Sequence, residues 1–234
     1  MCMGGSQKYR SNIERAIEYS ISIMNESGFW KAVREKGDSD VLTTFYHLCG
    51  LKYALLAGVK TNEIKHIYKR CNYFFDMCVQ TTGDNFKGSY GWAWSRADSL
   101  TGAVLDVRKD GTQAQACAGN CRILMGWRRS EPWLLQAAED QAFQDNNWKE
   151  LDLTHLYLSH CLIFNRGGGA WQKWNRKVYL GIIPENQNTE KGVNFGSWNP
   201  GKGPERIGGR VMSTVFACLI LEIYYRRSPE LVID

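Results

Sequence analysis

Apolar residues recur every three to four positions through most of the chain, the period at which helical side chains return to one face. Eight such stretches predict helices over residues 11–25, 40–57, 61–80, 112–126, 131–145, 151–165, 170–184 and 210–227. The apolar-polar alternation of a half-buried strand is nearly absent, so the pattern specifies an all-α protein.

The ends of these stretches carry their own signals. Ser11, followed three residues later by Glu14, has the form of a capping box that would start the first helix. Gly58, Gly126 and Gly167 follow the runs LKYALLA, CRILM and CLIFNR and predict stops, because glycine accepts the left-handed conformation that closes a helix. Pro132 predicts a start and Pro184 a stop.

Comparing the chain with itself adds an organisation. The segments TTFYHLC, TQAQAC, THLYLSHC and STVFAC each open a helix with a hydroxyl residue and bring a small residue about one turn later. Glycine-aromatic turns stand between helix pairs: SGFW at 27–30, KGSYGWAW at 87–94 and FGSW at 195–198. GWRRSEP at 126–132 is echoed by YYRRSPE at 224–230. The unit is thus a helix, a short link, a second helix and an aromatic turn. One such hairpin cannot bury its apolar surface alone, so hairpins stack side by side into an arc or ring. About four of them make a single domain over 1–234, with 1–10 outside the packed part. The segment 196–210, rich in glycine and proline, would carry the chain across one end of that arc into the last helix.

Composition sharpens this picture in a few places. The chain has 234 residues, with 44% hydrophobic and 23% charged, enough for a sizeable globular core. Nine tryptophans are unusual, and those in turns are placed to cover the ends of the core. The formal charge of +5 is scattered without a basic run, which argues against nucleic-acid binding. The longest apolar run, 211–225, is broken by Ser213, Thr214 and Glu222, so no transmembrane segment is expected. The opening MCMGGSQKYRSNIERA lacks the apolar stretch of a secretory signal; a cytoplasmic location is expected, or a secreted or periplasmic one if the natural start lies upstream. Eight cysteines, most within helical runs and none in CxxC spacing, are expected to be reduced core thiols.

The combination resembles the prenyltransferase and squalene oxidase repeat family, which shares an α/α toroid with terpenoid cyclases and protein prenyltransferase β subunits. The likeness lies in Gln80 before GDNFKGSYGW, Gln187 before NTEKGVNFGSW, and the threonine-led helix DVLTTFYHLCGLKYALLAGV. GWRRSEP, the W-x-K-W-N segment Trp171 to Asn175, and GGRVMST before LEIYYR are similar to small bacterial members of unassigned activity. Resemblance covers about residues 40–230 and implies a toroid or partial toroid.

The family's chemistry does not come with it. No D-x-D-D acid motif is present, nor a GCGEQ thioester. The four histidines offer no zinc-ligand set, because His155 and His160 stand five apart and face different ways on a helix. Two acid pairs remain. Asp106 and Asp110 are candidate catalytic acids, or a solvated loop interrupted by basic residues. Asp38 and Asp40 are candidate magnesium ligands, or a helix cap and dipole partner.

Three functional readings follow. The first is a non-catalytic toroid-like binding or scaffold domain that presents Trp92, Trp94, Trp198, Arg206 and Arg210 as an aromatic and basic mouth to a protein or small ligand. The second is a terpenoid cyclase or prenyltransferase type of enzyme acting on an isoprenoid with a relocated acidic site. The third is a carbohydrate-active enzyme using a pair of acids. The missing motifs favour the first, with no cofactor expected and homo-oligomerisation open.

Overall fold

A computed structural model of the chain describes residues 7–25, 28–30, 39–59, 62–81, 88–90, 93–94, 105–106, 111–142, 147–203 and 205–226. It is built mainly of helices, and divides into two compact units, one ending at Arg128 and the other beginning at Arg129.

The first unit contains α1 (Gln7–Ser22), α2 (Val41–Leu56), α3 (Ile64–Cys78) and α4 (Gly111–Leu124). Helix α4 is buried all the way from 113 to 124. Its small residues Ala114, Ala116, Cys117, Ala118 and Cys121 let neighbouring backbone come close. Helix α2 packs against it, and the Cys117 thiol donates to the Val41 carbonyl at 3.3 Å. At the far end of α4 the buried Arg122 ties the helix to α3. Its guanidinium donates to Asn72 Oδ1 at 2.7 Å, pairs with Asp76, and stacks 4.2 Å from the Trp127 ring centre.

Short strands join these helices, which the periodicity did not predict. The strands β1 (Ser39–Asp40), β4 (Ala93–Trp94) and β5 (Leu105–Asp106) form one antiparallel sheet, and β2 (Val79–Thr81) pairs with β3 (Gly88–Tyr90). At two or three residues each they are too short to show alternation. The capping box is also corrected. Helix α1 begins at Gln7, so Ser11 lies within it, and Glu14 pairs with Arg10 at 3.0 Å instead.

The second unit is organised around α6 (Leu153–Arg166), which packs against α5 (Pro132–Ala142), α7 (Gly168–Trp174) and α9 (Glu205–Leu221). Asp152 caps α6 by accepting from the His155 N–H at 2.9 Å. Gly167, at φ 68°, closes α6 and opens α7 in one residue. The helix expected over 170–184 starts as α7, widens into a π-helix (π1, Asn175–Ile182) and ends as the short α8 (Ile183–Glu185). The continuous helix ends at Glu185, one residue after Pro184, as the proline predicts. Gly209, at φ 65°, interrupts α9, so its continuous part begins at Arg210, and a final turn α10 (Ile223–Arg226) follows. Among the described residues, no helix is long and apolar enough to cross a membrane.

Candidate functional site

Two glycine-aromatic turns have the same construction. In the first, the Trp30 indole N–H donates to the Ser20 carbonyl at 2.7 Å, and the Trp30 backbone N–H donates to Thr44 Oγ1 at 3.2 Å. In the second, the Trp198 indole donates to the Ile183 carbonyl at 2.7 Å, and its backbone N–H donates to Thr214 Oγ1 at 3.3 Å. Each indole thus satisfies a carbonyl near the end of the preceding helix, while a threonine of the following helix fixes the turn. Both rings are buried, so they close the packed layer and offer no free face for stacking. Trp30 also lies flat on His47, 4.8 Å between centroids, and His47 Nδ1 contacts Ser20 Oγ at 2.7 Å. Burial lowers the His47 pKa, which favours the neutral ring.

The remaining sequence candidates are placed as follows. Arg206 is exposed, and Arg210 is half-buried with Nη1 3.4 Å from Ser197 Oγ, beside the Trp198 turn. The aromatic ring exposed at that turn is Phe195, which sequence reasoning missed. Trp92, Asp38 and Asp110 lie outside the described residues. Trp94 pairs with Ser39 and Leu105 in the three-stranded sheet. In the neighbouring row Ala93 pairs with Asp40 on one side and Asp106 on the other. The register therefore brings one acid from each sequence pair into a single row, about 10 Å apart across two strand spacings.

A larger aromatic assembly lies in the second unit, where α6, α7, π1 and α10 meet. The rings of Phe164 and Trp171 are 5.0 Å apart and meet edge to face. Tyr224 contacts both, at 5.6 Å and 5.7 Å, and reaches Tyr179 at 5.5 Å. Its hydroxyl donates to Asn175 Oδ1 at 3.1 Å. Below this layer the buried Trp174 donates its indole N–H to His160 Nδ1 at 3.0 Å, which fixes the imidazole under the cluster. Trp171 and Tyr179 are half-buried, Tyr224 is exposed, and Lys173 and Arg176 are exposed nearby along the chain. The π-helix matters here, because its wider turn shifts Asn175 and Tyr179 out of the register a plain α-helix would give. In the sequence the cluster shows only as the W-x-K-W-N segment and the tyrosine pair near the end, neither of which by itself marks a surface.

Edge-to-face rings present both a π face and an apolar body. Two buried thiols of the first unit are made less acidic. Burial pushes Cys71 up to about 12, and burial together with a hydrogen bond donated to Cys117 raises Cys121 well above its ordinary value. His155 Nε2 contacts Gln141 Oε1 at 2.8 Å, so His155 and His160 address different neighbours. Among the described residues, no group of three or more His, Cys, Asp or Glu side chains is arranged to hold a metal ion.

No family model, no curated protein and no solved structure matches the chain.

Proposed function

We propose that this protein is a non-catalytic, toroid-like binding domain whose second unit takes a small ligand with a flat apolar face and a negative group. The observation that carries this reading is the edge-to-face cluster of Phe164, Trp171, Tyr179 and Tyr224, open at Tyr224, with the exposed cations Lys173 and Arg176 close to it in sequence. The likeness to the prenyltransferase and squalene oxidase repeat family supports the architecture, and the absence of that family's acid motif from the sequence supports the lack of catalysis. The test is a titration of intrinsic tryptophan fluorescence with 2-naphthoate and with its fully saturated analogue, which has the same charge but no π face. Naphthoate is expected to perturb the emission saturably, less so at high salt, and to lose the effect in Tyr224→Ala. Equal responses to both compounds would contradict the reading.

A second reading, an enzyme of terpenoid-cyclase, prenyltransferase or carbohydrate-active type, draws on the row Asp40, Ala93, Asp106. Acids brought to one row from separate segments are a means of pairing a proton donor with a stabilising carboxylate. Turnover of an isoprenoid diphosphate or a glycoside that disappears in Asp106→Asn or Asp40→Asn, with folding intact, would favour it over binding alone.

A further inference from the structure

In the first unit a groove runs between α1 and the stretch that joins α2 to α3. Glu14, Ile17, Glu18 and Ile21 recur at the spacing of one helix face, so that face of α1 makes the first wall. Gly58, at φ 82°, ends α2, and the Val59 N–H donates back to the Ala54 carbonyl at 3.0 Å. The chain turns there, and Val59 and Glu63 make the second wall. Arg10 ties the two walls together: its Nε pairs with Glu14 at 3.0 Å, and its Nη2 donates to the Gly58 carbonyl at 3.4 Å.

The groove has a volume of about 510 Å³, within the range of about 300–1,000 Å³ that small-molecule sites occupy. Its floor is apolar: Ile17 and Val59 are buried and Ile21 is half-buried. Its rim is acidic. Glu18 and Glu63 are exposed on opposite walls, and among the described residues no basic side chain lines the space between them. Acids alone would make a solvated helix face. Acids above an apolar trough select a molecule of both characters, with methylene groups for the floor and separated positive charges for the rim. A bare metal ion fits neither part: it leaves the floor uncovered, and among the described residues these carboxylates are not grouped to hold one.

We propose that this groove binds a linear aliphatic polyamine. Its methylene segments lie on Ile17, Ile21 and Val59, and its ammonium groups pair with Glu18 on one wall and Glu63 on the other. Apolar contact and charge pairing then act along the whole length of the ligand, which a short cation or a neutral chain cannot match. The site lies wholly in the first unit and does not depend on the aromatic cluster of the second.

The test is isothermal titration calorimetry of the full chain with spermidine at fixed ionic strength, with hexylamine, magnesium chloride and a tetralysine peptide as comparators. Spermidine is expected to bind at one site, more tightly than hexylamine, which brings a single charge. Magnesium is expected not to displace it once ionic strength is held constant. Glu18→Gln, an exposed position, should weaken spermidine about three- to fivefold, and Ile21→Ser should weaken it as well, with circular dichroism confirming that both variants fold. The absence of saturable binding, an affinity unchanged in Glu18→Gln, or displacement by magnesium would overturn the proposal. So would tighter binding of tetralysine than of spermidine, which would make the groove a peptide site.

Discussion

The backbone N–H of Trp30 donates to the hydroxyl of Thr44 at 3.2 Å, across a turn that buries both residues. This bond joins two features that the sequence shows separately, the glycine-aromatic turn and the threonine-led helix. It predicts that Thr44→Val, which keeps the shape but removes the acceptor, costs about 1–3 kcal/mol, the usual penalty of an orphaned buried donor. Thr44→Ser should recover most of it. Thr214 is less buried, so Thr214→Val should cost less. Urea denaturation of the variants measures the differences.

Gly28 sits at φ 94°, and a Cβ built there would run into the Arg70 carbonyl. Backbone cannot swing aside as a side-chain tip can, so Gly28→Ala should lower stability by more than about 1–3 kcal/mol, combining strain with a clash. Gly50 is the contrast, a mid-helix glycine with open space around it. Gly50→Ala should stabilise by about 0.5–1 kcal/mol. Paired thermal melts decide the signs.

Burial raises the Cys71 thiol from its ordinary 9.0 to about 12. The folded chain therefore holds the proton after the unfolded chain has lost it, and stability is full below about pH 9 and falls as pH rises towards 12. Cys71→Ala should flatten that decline. In the same range, alkylation of Cys71 should wait for urea.

At the acid side His47 acts in the opposite sense. Its pKa is lowered by burial from 6.5, so the unfolded chain takes up a proton first as pH falls. Stability is present above about 6.5 and is lost as pH drops below it. His47→Phe keeps a ring against Trp30 and cannot be protonated, and its melting temperature should vary less between about pH 7 and 5. An unchanged slope would remove His47 as the cause.

Helices α2, α3 and α9 were legible because their burial repeats with helical period, and the stops at Gly58 and Gly126 because a positive φ there asks for glycine. Ser11 misled because the helix extends a full turn before it, into QKYR, where nothing apolar announces it. Strands of two or three residues leave no period to read, so the row joining Asp40 to Asp106 was invisible. Trp198 was legible as a turn residue, but whether its ring faced in or out depended on the Ile183 carbonyl, fifteen residues away. The aromatic cluster was hidden for the same reason: Phe164, Trp171, Tyr179 and Tyr224 come from four elements, and one of them is a π-helix that no residue pattern announces.

Binding by the aromatic cluster is tested most directly by following amide and indole resonances of the 15N-labelled protein during titration with 2-naphthoate. Shifts should gather at the Trp171 indole, Asn175, Tyr179 and Tyr224, and spare the buried indoles of Trp30 and Trp198. Shifts centred instead on Asp40, Ala93 and Asp106, or none at saturating ligand, would contradict it.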